Sequence, residues 1–189
     1  MNHALPDGRA SETGIMSDIG QAFIARAQHH LGEDYLPKIE RCLGLLSDQQ
    51  IWWRANEQSN SIGNLLLHLS GNVRQWIVCG LGDATDSRDR DSEFAQRGEI
   101  PRAELFDRLK RTVDEAVGVL GRLDADALLA KHRIQGLEVS ALEAVLHVVE
   151  HFSMHTGQII LLAKMYAEID PGFYDFSDST PVPNWKREP

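Results

Sequence analysis

The sequence predicts an all-α protein, an antiparallel four-helix bundle with a long loop between its second and third helices. Three observations predict it. Apolar residues recur at helical spacing over four long stretches. No stretch alternates convincingly as a strand. The 189 residues, 42% of them hydrophobic, are enough for one domain around one core. Residues 1–16 read as a flexible tail, 17–170 as the bundle, and 171–189 as an irregular C-terminal tail that docks without forming an element.

The first helix is expected from about Asp18 to Leu46, burying Ile19, Phe23, Ala27 and Leu31, then Ile39, Leu43 and Leu46. Pro37 has no amide hydrogen and crowds the preceding turn, so a kink or break is expected near Glu33–Leu36. Ser47 and Asp48 open a connector holding Trp52 and Trp53. The second helix starts at a cap formed by Asn60 or Ser61 and continues to about Cys79. Residues 80–100, rich in Gly and charge, read as a long loop, a length at which loops often carry function.

Pro101 suits the first turn of the third helix, which turns Leu105, Leu109, Val113, Val117 and Leu120 inward and ends near Leu123. A turn-rich connector containing Gly136 follows. The last helix begins at Ser140, with Glu143 three residues on as in a capping box, and ends near Ile169, before Pro171–Gly172.

Nineteen basic against 28 acidic residues give a net charge of -9, which disfavours nucleic acid as a partner. No apolar run approaches the ~18 residues of a membrane span. Residues 1–20 lack an apolar signal-peptide core, and Cys42 and Cys79 lack any paired spacing, so a cytoplasmic location with free thiols is expected.

The chemistry lies in histidines. At 100° per residue, the last helix places Glu143, Glu150, Ser153, Lys164 and Glu168 on the solvent side and Val148, Phe152, Ile159 and Tyr166 on the core side. His155 and His151 fall toward the core and share a face at i,i+4 spacing. His147 lies farther round, toward the acidic stripe. In the second helix Leu65, Leu69, Val73 and Trp76 form the core stripe, with His68, Asn72 and Cys79 along one flank. His68 with His151 and His155 would make a three-histidine metal site with open positions. The alternative for His68 is a core histidine bonded to a backbone carbonyl. The string from His147 to His151 also reads as HxxEH, a protease signature, but it would need Glu150 inside rather than on the solvent stripe.

Several strings resemble the DinB-like superfamily of four-helix bundles, in particular an uncharacterised branch of it. They are Asn60-Ser-Ile-Gly-Asn-Leu-Leu-Leu-His68-Leu-Ser-Gly-Asn72 and His151-Phe-Ser-Met-His155-Thr-Gly-Gln158, supported by Lys38–Cys42, Trp52–Arg54 and Arg88–Phe94. The resemblance spans roughly residues 20–175. It implies a divalent metal, with Zn, Ni or Fe all suited, held by His68, His151 and His155. It also implies a homodimer. Characterised relatives use a low-molecular-weight thiol such as bacillithiol or mycothiol in transferase and isomerase reactions.

The expectation is therefore a metal-dependent enzyme on a small molecule, resembling thiol S-transferases, with a non-catalytic metal-binding or ligand-binding bundle protein as the rival. Asn72 and Gln158 are candidates to face the cavity. Arg88 or Arg90 would reach over its mouth to hold a substrate carboxylate or phosphate, with a solvated loop of internal salt bridges as the alternative.

Overall fold

The computed structural model describes residues 12–98, 100–177 and 179–185. The first long helix is α1 (Glu12–His29), a π-helical turn (His30–Tyr35) and α2 (Leu36–Gly44) in succession. Of the tail expected at residues 1–16, residues 1–11 lie outside the described residues, and helix begins at Glu12 rather than near Asp18.

The break falls where Pro37 requires it. The hydrogen bond Pro37 cannot give would have gone to the Glu33 carbonyl, four residues back. The helix widens to a π-turn there, and the indole N–H of Trp185 donates to that carbonyl at 3.1 Å. The C-terminal segment is thereby docked onto the bend. Arg41 reinforces the docking, donating to the Asn184 carbonyl at 3.1 Å. This segment is also less irregular than expected: β3 (Tyr174–Asp175) pairs antiparallel with β4 (Val182–Pro183).

One inward residue of α1 was misassigned. Ile19 is 60% exposed, and Gly20, Ile24, Ala27 and Leu31 form the buried stripe instead. Gly20 sits so close to Ala125 that a Cβ would strike the Ala125 side chain at 2.8 Å. A helix pressed that tightly against the 3-10 turn Ala125–Leu129 turns Ile19 outward.

The second long helix is α3 (Ile62–Val73), which ends in a π-helical segment, Arg74–Cys79. Ser61 caps it with Asn64 in a reciprocal capping box. Every residue of α3 is buried, because it packs against α5 (Arg102–Leu120), α6 (Ala141–Ala167) and α4 (Arg90–Ala95) together. The helix α4 was not foreseen; it lies inside the expected loop, capped by Asp89, whose carboxylate accepts from the Ser92 N–H at 3.2 Å.

Between α5 and α6 the connector folds into a hairpin, β1 (Lys131–Ile134) against β2 (Leu137–Ser140). Its turn residues Gln135 and Gly136 both have positive φ, 53° and 80°, the conformation that matches the twist of a two-residue hairpin. Such short, polar strands leave little alternation to detect. The last helix opens on the expected Ser140–Glu143 capping box. Its core face is Val148, Phe152 and Ile159, all fully buried, whereas Tyr166, expected inside, is 38% exposed. Tyr166 lies past the end of the core and meets Trp53 edge-on at 5.5 Å.

The whole is a four-helix bundle with α4 and the β1–β2 hairpin added at its connections. No helix among the described residues is long and apolar enough to cross a membrane.

Candidate metal centre

The continuous burial of α3 places His68 in the interior, 4% exposed, facing α6. There the i,i+4 spacing brings His151 and His155 to meet it. Ring centroids are 5.0 Å apart for His68 and His151, 5.1 Å for His68 and His155, and 4.4 Å for His151 and His155. One ring nitrogen from each lies within 4.8 Å of the other two. Nε2 of His68 stands 2.9 Å from Nε2 of His151. Two nitrogens bound to one ion at ~2.0–2.1 Å are separated by about 2.9–3.4 Å, so the spacing fits a shared ion.

The other nitrogens of two rings are already held. Nδ1 of His68 lies 2.9 Å from Oε2 of Glu93, and Nδ1 of His155 lies 2.7 Å from Oε1 of Gln158. A carboxylate and an amide oxygen can only accept, so each Nδ1 is assigned the hydrogen. Arg88 Nη2, 3.1 Å from Nδ1 of His68, then gives its own hydrogen to the same carboxylate, and Nε2 of both rings is left as a lone-pair donor. Gln158, expected to face a substrate, is thus the orienting partner of His155.

The two imidazoles of α6 are also held toward the neutral form. Burial pushes His151 from 6.5 down to about 3, with the neighbouring His155 and His68 adding repulsion. Burial lowers His155 as well, partly offset by its bond to Gln158. A neutral imidazole is the form that binds a metal.

Glu93 is the residue the sequence reading missed. It is 5% exposed and accepts from Arg88 Nε at 2.7 Å and Nη2 at 2.9 Å as well as from His68. Burial alone would raise its pKa, but the hydrogen bonds from Arg88 and His68 outweigh it, and the net shift is downward. The signal that would have found it is local: an Asp89 N-cap with Ser92 three residues on predicts a short helix in the loop, which carries Glu93 toward α3. Asn64 fastens that helix, its amide donating to the carbonyls of Glu93 at 2.9 Å and Gln96 at 3.0 Å. Gly71 leaves room for the ion pair; a Cβ there would overlap the Glu93 carboxylate.

The charged loop holds the internal salt bridge expected of it, Arg88 to Glu93, but the pair is buried rather than solvated. Arg88 is neither solvated nor reaching over a mouth: its side chain is 5% exposed, clamped on Glu93. Arg90 is exposed and stands over the Phe94 ring at 4.9 Å, while Phe94 packs on His68 at 4.7 Å.

His147 also departs from expectation. It is half-buried rather than turned to the acidic stripe, with its ring 4.2 Å from Trp76 and 5.4 Å from His151. Its Nε2 points to Asn72, 3.4 Å from Nδ2, and it is not one of the three histidines that share a focus. Glu150 is exposed, as expected, so the HxxEH reading has no inward carboxylate. Both cysteines are free. Burial pushes the Cys42 thiol up to about 12 and raises Cys79 as well, so neither is an activated nucleophile.

Acid should unfold this site. The unfolded chain takes up protons near 6.5, whereas folded His151 resists until about 3. Below 6.5 the unfolded state therefore binds more protons, and stability falls as pH falls across that window. Urea midpoints of metal-free protein should decline on acidification, with a shallower decline in His151→Ala. Equal slopes in the two proteins would contradict the assignment.

The family described as "Protein of unknown function (DUF1572)" matches residues 18–172. No curated protein matches the chain. Among solved structures, a DinB-like protein from Bacillus cereus aligns with a TM-score of 0.56 at 14% identity, over 69% of this chain and 85% of that one. A conserved protein from Enterococcus faecalis aligns with a TM-score of 0.59 at 12% identity, over 81% of this chain and 98% of that one. At such identities the likeness shows the fold, and the site must be argued from its own side chains.

Proposed function

The chain belongs to the family described as Protein of unknown function (DUF1572), and from that membership and the histidine cluster we propose that it is a divalent-metal-dependent enzyme acting on a small molecule. One observation carries this: three imidazoles converge, and two of them have Nδ1 tied to a carboxylate or amide oxygen. A core histidine kept only for packing needs no such convergence.

His68, His151 and His155 would hold the ion, with Zn, Ni and Fe all compatible with an all-imidazole set. When bound, the ion supplies Lewis acidity that lowers the pKa of a thiol or water toward neutrality. The chain's own contribution is orientation and charge. Glu93 and Gln158 fix two rings, and Arg88 neutralises Glu93. With no activated cysteine of its own, the protein would take its sulfur from a low-molecular-weight thiol. The reaction proposed is S-transfer: sulfur bonds to an electrophilic carbon, the leaving group departs with its electron pair, and the thiol proton passes to solvent.

The test begins with elemental analysis of protein purified without a metal-affinity column, followed by assays of thiols with electrophilic acceptors. About one divalent ion per chain and turnover abolished by chelation support the enzyme. One ion without turnover on any thiol would favour the rival, a non-catalytic binding bundle. His147→Ala should keep its metal, because its Nε2 faces Asn72 rather than the cluster; loss of stoichiometric metal in this variant would return His147 to the ligand set.

We also propose a cytoplasmic homodimer. What supports the dimer is one face of α6, where Leu146, Met154, Leu161 and Met165 are each at least half exposed at helical spacing. Sedimentation of the wild type beside Leu161→Glu checks it; an unchanged mass in the variant would clear that face.

A further inference from the structure

Among the described residues, two buried side-chain atoms lack a hydrogen-bond partner: Oδ1 of Asn72 and Nε1 of Trp76. Both residues are 4% exposed. Buried polar atoms are paired in the great majority of folded proteins, and an orphan is destabilising. Two orphans four residues apart are therefore a feature to account for, and their position is specific. They continue the stripe of His68 along one helical face, at residues 68, 72 and 76. Both also touch His147: Trp76 lies against its ring at 4.2 Å, and Asn72 Nδ2 is 3.4 Å from its Nε2.

The chemistry of the pair selects an occupant. Asn72 Oδ1 can only accept and Trp76 Nε1–H can only donate. Arg88 is committed to Glu93, and the Glu150 carboxylate, which acts on His147, is exposed to solvent. A carboxylate would set its lone pairs against Asn72 Oδ1, and an ammonium would set its hydrogens against the indole N–H. The pair needs a group that both donates and accepts: a hydroxyl or a water does so through one oxygen, and an amide offers a separate N–H and C=O, one for each orphan. The half-buried His147 ring lies 4.2 Å from the indole and screens the pair.

We propose that Asn72 and Trp76, screened by His147, form a subsite for an amide group of the small-molecule substrate, Asn72 accepting its N–H and Trp76 donating to its carbonyl. This rests on the metal-site reading, because a ligand anchored at the histidines is what brings its amide to the pair.

The test uses two thiols of the same shape. Protein loaded with Co(II) is titrated with N-acetylcysteamine and with 2-mercaptoethyl acetate, an ester that keeps the carbonyl and loses the N–H, and binding is read from the visible cobalt spectrum. The amide should bind about tenfold or more tightly, the worth of satisfying a buried acceptor. Asn72→Leu should erase that preference, and Trp76→Phe should weaken both probes alike. Should Asn72→Leu fail to fold, the wild-type comparison stands alone. Equal affinities in the wild type, or a preference that survives Asn72→Leu, overturn the subsite while leaving the metal centre intact. Absence of cobalt uptake would instead remove the metal reading, and the subsite with it.

Discussion

Substituting alanine for His155 should abolish stoichiometric metal while leaving the helix content of the protein unchanged. Removing the partner of a metal-binding histidine costs roughly 10–100-fold in affinity, so removing the ring itself should cost at least ~100-fold. The loss comes from one of the three nitrogens that converge among the described residues. Helicity should survive because α6 is held along its length by Val145, Val148, Phe152, Ile159 and Ala163, all fully buried. Metal content per chain and far-UV circular dichroism, measured on one preparation, decide the matter. A variant that keeps one ion per chain would sink the three-histidine assignment.

The second large effect should come from Glu93→Ala, and it should be one of stability. Arg88 is buried with this carboxylate as its counter-ion, and breaking a buried pair from one side costs about 3–5 kcal/mol because the other charge stays behind. For a chain of this size that is a fall in Tm of roughly 6–20 °C. The double variant Arg88→Met/Glu93→Leu should regain much of the lost stability, since no lone charge remains, yet bind metal more weakly because His68 has lost the acceptor for its Nδ1–H. Thermal unfolding with and without added Zn(II) separates the two contributions. A single variant as stable as wild type would show that Arg88 finds water when Glu93 is gone.

Much of this was legible in the sequence, for identifiable reasons. His151 and His155 share a face whatever surrounds the helix, and the Ser140–Glu143 capping box is a local code, so both were readable from spacing alone. Pro37 announced the break in the first helix because its effect is covalent. What could not be read was anything decided by long-range packing. Glu93 is one of several acids in a charged run, and only the approach of α4 to α3 through Asn64 and Gly71 makes it the partner of His68. His147 was misplaced because a helical wheel reports the angle of a residue, and the broad ring of Trp76 on another helix extended the interior to meet it. Arg90 and Gln158 were chosen for chemical type, but one lies over Phe94 and the other serves His155.

The two halves of the site have unequal tenure in the folded state. The three imidazoles stand on α3 and α6, whose opening requires the bundle to come apart. The acid that orients His68 stands on a helix of six residues within a loop, and segments of that kind open by local fluctuation at a fraction of the global unfolding free energy. Whenever α4 lifts, His68 is released to rotate while the other two rings stay in place. The lifetime of an ion held there would then be set by how often a loop breathes, and amide hydrogen exchange at Glu93–Ala95 should slow on metal uptake far more than exchange in the centre of α3.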